Sequence, residues 1–130
     1  MVEQWEEFHA GPKDVESDLH VTLNKHGVIL LGARTFDRMG KPDAVVLFFD
    51  KMNSKIGLMP SHDRVENAHP LQSKGKHRHR ILRASRLCRH YGIKVDRTIE
   101  FPYAHINDNG ILVLDLKTTN VIGRVSNNGK

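Results

Sequence analysis

The order of elements across Val21 to Pro60 constrains this chain most, because the same order recurs further along. Val21 to Leu23 and Val28 to Leu31 are short apolar runs separated by the turn-prone Asn24-Lys25-His26-Gly27. Ala33 to Met39 has room for about two helical turns and stops at Gly40. Lys41-Pro42-Asp43 reads as a turn, since proline presets φ and aspartate bonds its own backbone. Two β-rich runs follow, Ala44 to Phe49 and Lys55 to Met59, joined across Asp50 to Ser54. Laying Arg80 to Gly92 on Val28 to Gly40 places Ile81 on Ile29, Leu82 on Leu30, Arg86 on Arg34 and Gly92 on Gly40. A polar turn, a strand-like run from Arg97 to Tyr103, the hairpin signal Asn107-Asp108-Asn109-Gly110 and a run from Ile111 to Leu116 come next. Asn-Gly between β runs marks a hairpin because both residues tolerate positive φ. A few extra residues are needed before Ile111 for it to match Ile56. The competing reading is that two stretches of short α and β elements merely rhyme. The choice matters, since a missed repeat misassigns the whole fold.

The expected fold class is α+β, mainly β, in one domain over 19–126. It holds two copies, 19–60 and 71–117, joined by a polar connector at 61–70. An acidic arm at 1–18 precedes it and a short tail at 127–130 follows. A length of 130 residues suffices for a single modest core. Val45 to Phe49 is nearly continuous in apolar character, which suits a strand buried on both faces, as in a closed or interlocked barrel. Trp5 and Phe8 in the arm are spaced to dock one amphipathic turn on the body; a disordered arm, or one folded over the basic middle, is an equal expectation.

Charge is distributed unevenly. The net +5 combines six acids against Lys13 in the arm with a basic middle from Leu71 to Arg97 that holds Asp96 alone as an acid. Ser73 to Arg80, SKGKHRHR, is the densest cationic stretch. Read as one strand, it points Lys76, Arg78 and Arg80 to one side and His77 and His79 to the other. Read as a helix, Arg80 to Tyr91 turns Ile81, Leu82, Leu87, Cys88 and Tyr91 inward and leaves Arg83, Arg86 and His90 on an outer stripe. The two together give a cationic ridge of Lys74, Lys76, Arg78, Arg80, Arg83, Arg86 and Arg89. Arginine forks pair with phosphate oxygens, and released counterions drive the association. Aromatic residues do not interleave with the ridge. That disfavours a stacking platform for single strands and favours the backbone of a duplex. A solvated face that only keeps the chain soluble is the bland alternative.

Gly27-Val28-Ile29-Leu30-Leu31-Gly32, Phe36, Met39-Gly40, Asp43, Val45, Ile56, Leu58 and Pro60 resemble the AbrB/MazE/MraZ swapped-hairpin superfamily. Its pattern runs G-R-I-x-I-P, a short helix ending L-G, G-D-x-V, then I-x-L-x-P. The resemblance covers about a third of the chain well and the second copy weakly. It implies an interlaced β-barrel of two hairpin units with short helices, homo-oligomerisation, and DNA binding by basic residues of the first hairpin and short helix. Val28 stands where the family has Arg, and Gly32 where it has Pro. Arg80 occupies the matching place in the second copy, so a retained function is expected there, with Arg80 and Arg83 entering a groove and Lys25, Arg34 and Arg38 supporting. A first copy serving purely as scaffold is equally consistent. The functional expectation is a duplex-DNA-binding protein, a transcriptional regulator. The alternatives are an antitoxin-like module whose ridge takes an acidic protein partner, and an RNA binder.

Other chemistry is poorly represented. There is no phosphate-cradling glycine loop and no H-E-x-x-H. The single cysteine, Cys88, excludes an intrachain disulfide, and no spacing among nine histidines secures a four-coordinate metal. Neither a catalytic residue, a metal nor a cofactor is expected. No run approaches the ~18 apolar residues of a membrane span, and the N-terminus lacks the pattern of a secretory signal. The expected setting is cytoplasmic, with no membrane partner.

Overall fold

The computed structural model describes residues 18–75 and 78–122. The acidic arm except Asp18, with Trp5 and Phe8, the cation Lys76 with its neighbour His77, and the tail lie outside the described residues. The elements are β1 (Val21–Leu23), β2 (Val28–Leu31), α1 (Ala33–Arg38), β3 (Ala44–Asp50), β4 (Lys55–Ser61), β5 (Ala68–Pro70), β6 (Gln72–Lys74), β7 (His79–Arg83), α2 (Ser85–Tyr91), β8 (Ile99–Glu100), β9 (His105–Ile106), β10 (Leu112–Asp115) and β11 (Asn120–Val121). The fold is mainly β, with two short helices. Its strands form two antiparallel sheets, ordered β11-β8-β1-β2-β7-β6 and β5-β3-β4-β10-β9, and not one closed ring.

Two hairpins meet at the middle of the first sheet. β2 pairs with β7 so that Ile29 faces Leu82 and Leu30 faces Ile81. The four residues of β2 and the four opposite them, Arg80 to Arg83, are the ones the sequence overlay equates. The second sheet repeats the arrangement, with β4 against β10 at its middle and Leu58 facing Leu112. Side chains alternate across a strand. Ile29, Leu31 and Leu82 from one sheet and Val45, Ile56, Leu58, Leu112 and Leu114 from the other therefore close on a single core. Phe101, 1% exposed, is the bulkiest fully buried side chain in it.

Local chemistry explains the turns. The β1–β2 and β9–β10 connections are the same device. The Asn24 side-chain oxygen accepts from the backbone N–H of His26 and Val28; that of Asn107 accepts from Asn109 and Ile111. Such Asx bonding substitutes for a backbone turn. At the β3–β4 turn Asp50 accepts from the Asn53 side-chain amide (2.9 Å) and backbone N–H (3.2 Å). Those bonds, the side-chain one foremost, hold its carboxyl below the ordinary carboxylate range. The helices end alike. Gly92 turns left-handed at φ 68°, and Ile93 N–H reaches back to Cys88 O at 2.8 Å. After α1, Lys41 N–H makes the corresponding bond to Phe36 O at 3.0 Å.

Four expectations are corrected. Ser73 to Arg80 is not one strand: β6 ends at Lys74, Gly75 has φ 67°, and β7 starts at His79 and pairs antiparallel with β6, so Arg78, which precedes β7, does not share a strand face with Arg80. Arg80 to Arg83 is strand and the helix begins at Ser85, because the β2 edge offers this stretch ladder bonds before a helix can close. β3 is fully buried at Ala44 and Val45 alone; Phe48 is 47% exposed, since it alternates to the face away from the core, which Val45, Leu47 and Phe49 face. The strand run from Arg97 to Tyr103 shrinks to Ile99–Glu100, and the buried match to Ile56 in the last hairpin is Leu112, one place beyond Ile111.

Candidate nucleic-acid interface

Each hairpin turn packs against the helix that follows the other hairpin. The β6–β7 turn reaches α1: the Arg78 guanidinium pairs with Asp37, and the Arg80 guanidinium lies 4.2 Å over the Phe36 ring. The β1–β2 turn reaches α2. Ala84 N–H donates to Gly27 O at 2.7 Å, and a Cβ built on Gly27 would sit 2.7 Å from the Ser85 Cα. The molecule therefore has two ends of the same construction, each made of one hairpin's turn and the helix that follows the other hairpin.

Their charge differs. On α1, Arg34 and Arg38 both pair with Asp18, at 2.9 and 3.5 Å, while Asp37 neutralises Arg78. All are substantially exposed, so these pairs contribute little stability; their effect is on the field. On α2 the overlay that sets Arg86 on Arg34 sets Arg89 on Asp37, an acid replaced by a base. Arg83, Arg86, Arg89 and Lys25 are exposed, and among the described residues none has a carboxylate within 4.0 Å. A cleft of ≈ 490 Å³ brings Lys25 and His26 of the turn together with Arg89 and with Lys94 beyond the helix, and Asp96 lines it as well.

The sequence-predicted cations are thus sorted in space. Arg83, Arg86 and Arg89 share one end with Lys25. Lys74 and Arg78 lie at the opposite end of β7, about 13 Å away along the strand at ~3.3 Å per residue. Arg80 is half-buried between them, bonded through Nη1 to His79 O at 3.1 Å and covering Phe36. Its planar guanidinium serves packing, and the continuous ridge read from sequence is broken there. Lys94 was missed as a site residue: it follows the α2 terminator, and nothing in the local sequence folds it back toward the β1–β2 turn.

Cys88 turns inward from α2, 8% exposed, and burial pushes its thiol above the ordinary value of 9.0. Folding therefore favours the neutral thiol. This group's contribution to stability is intact below about pH 9 and falls as pH rises further, because the unfolded chain ionises first. A thiol reagent at pH 8 should label the folded protein far more slowly than the urea-unfolded chain. Equal rates would place Cys88 at the surface.

Gly27 fixes the contact between turn and helix. Its φ of 78° and the proximity of Ser85 leave no room for a side chain. Gly27→Ala should cost about 1–3 kcal/mol, read as a lower denaturant midpoint; an unchanged midpoint would mean that the turn does not rest on α2.

Among the described residues no helix is long and apolar enough to cross a membrane. No protein-family model, curated protein or solved structure matches the chain.

Proposed function

We propose that the end built from the β1–β2 turn and α2 grips the backbone of duplex DNA, with Lys25, Arg83, Arg86 and Arg89 as the phosphate contacts. On this reading the protein is a DNA-binding regulator assembled from two interlaced hairpin units. The observation that carries it is the charge contrast between two ends of like construction: at one, Arg34, Arg38 and Arg78 are paired with Asp18 and Asp37, whereas at the other Lys25, Arg83, Arg86 and Arg89 have, among the described residues, no carboxylate within 4.0 Å, and Asp96 lines the cleft beside them. Unpaired, solvated cations reach phosphate without first giving up a carboxylate, whereas paired ones must break their ion pairs.

The cluster presents exposed guanidinium groups, and the Tyr91 ring at the end of α2 is packed on Phe49 away from them, which suits a regular phosphate backbone more than splayed bases. The hydrogen-bonded turn and the ladder beneath Arg83 fix the backbone that carries Lys25 and Arg83. Competition by anisotropy tests the ligand class: labelled duplex DNA should be displaced by unlabelled duplex more effectively than by structured RNA or an acidic polypeptide. Stronger displacement by RNA, or by the acidic polypeptide, would transfer the site to that partner.

A further inference from the structure

A second cleft lies across the segment that follows α2. It encloses ≈ 670 Å³, within the 300–1,000 Å³ range of small-molecule sites. One wall is aromatic: Tyr91 packs on Phe49 with ring centroids 4.5 Å apart and planes tilted 37°, and Tyr91 remains 37% exposed. Around it stand Lys94, Arg97 and Lys117, all exposed and, among the described residues, all without a carboxylate within 4.0 Å. Asp96 also lines it. An aromatic surface beside three cations selects a ligand with a flat ring and several negative charges.

We propose that this cleft binds a nucleoside phosphate. The base stacks on the Tyr91 ring, Lys94, Arg97 and Lys117 take the phosphates, and Asp96 accepts hydrogen bonds from ribose hydroxyls or a base amino group. The proposal rests on the cleft's own lining; it shares Lys94 and Asp96 with the cleft beside the β1–β2 turn but none of the four cations assigned to duplex DNA.

Calorimetric titration of the full chain with ATP, adenosine and tripolyphosphate tests it. ATP should bind at least about tenfold more tightly than either fragment, since stacking and charge each contribute on that scale. Tyr91→Ala should reduce ATP affinity about tenfold and leave tripolyphosphate unchanged. Lys94→Ala/Lys117→Ala, two surface changes that leave the core intact, should erase the advantage of ATP over adenosine. Arg83→Ala/Arg86→Ala/Arg89→Ala should leave ATP binding as it was, which separates this site from the DNA contacts. Equal binding of ATP and tripolyphosphate by the unaltered protein, or no ATP binding at millimolar concentration, overturns the proposal.

Discussion

Replacing Arg83, Arg86 and Arg89 together by alanine should lower duplex affinity by about two to three orders of magnitude at low salt and flatten its salt dependence. Each neutralised phosphate contributes about 0.9 to the slope of log affinity against log salt, so the triple variant should lose about 2.7 from it. The side chains are exposed, so stability should stay within about 0.5 kcal/mol and the loss will not reflect unfolding. The matched control is Arg34→Ala/Arg38→Ala on the other helix. Those cations already hold Asp18, and their removal should change the slope by less than about one. Titration of labelled duplex at several salt concentrations reads both variants. Equal losses from the two helices would remove the distinction between the ends.

The largest effect on stability should come from Phe101→Ala, at about 3–5 kcal/mol. Phe101 is 1% exposed in the core shared by both sheets. It follows β8, where its backbone N–H donates to Val21 O at 3.0 Å and extends the pairing beside β1. Truncation would open a cavity where the sheets meet, with rigid ladders on both sides to resist collapse. Total stabilities are about 5–15 kcal/mol, so a substantial fraction would unfold or the midpoint would drop steeply. Urea titration should show the shift with an unchanged m-value. Phe48→Ala, at a ring 47% exposed, should cost far less. Similar costs at the two positions would contradict the core described above.

Elements with strong local chemistry were legible in the sequence. Both helices stop at the glycines that the overlay set on one another, because a left-handed residue is needed there and glycine supplies it at no steric cost. The Val28 to Leu31 and Ala44 to Phe49 runs followed from apolar, β-rich stretches bounded by turns, and the second extends one residue further, to Asp50, in the structure. What failed depends on partners distant in sequence. SKGKHRHR reads equally well as strand or loop, and its bend is set by pairing of β7 with β2. Arg80 looked like the family's DNA-contacting arginine, but the Phe36 ring decides its position, and Phe36 belongs to the other unit. The split of cations into paired and unpaired groups was invisible for the same reason. Asp18 and Asp37 act on arginines brought near by the fold, and charge counts along the chain cannot show which acid meets which base.

Amide chemical-shift mapping of the protein during titration with an unlabelled duplex tests the central claim most directly. The account predicts the largest changes at Lys25 to Gly27 and across Arg83 to Arg89, with Arg34 to Arg38 and Lys74 little affected. Changes centred on α1 and the β6–β7 turn, or spread evenly over both ends, would contradict it.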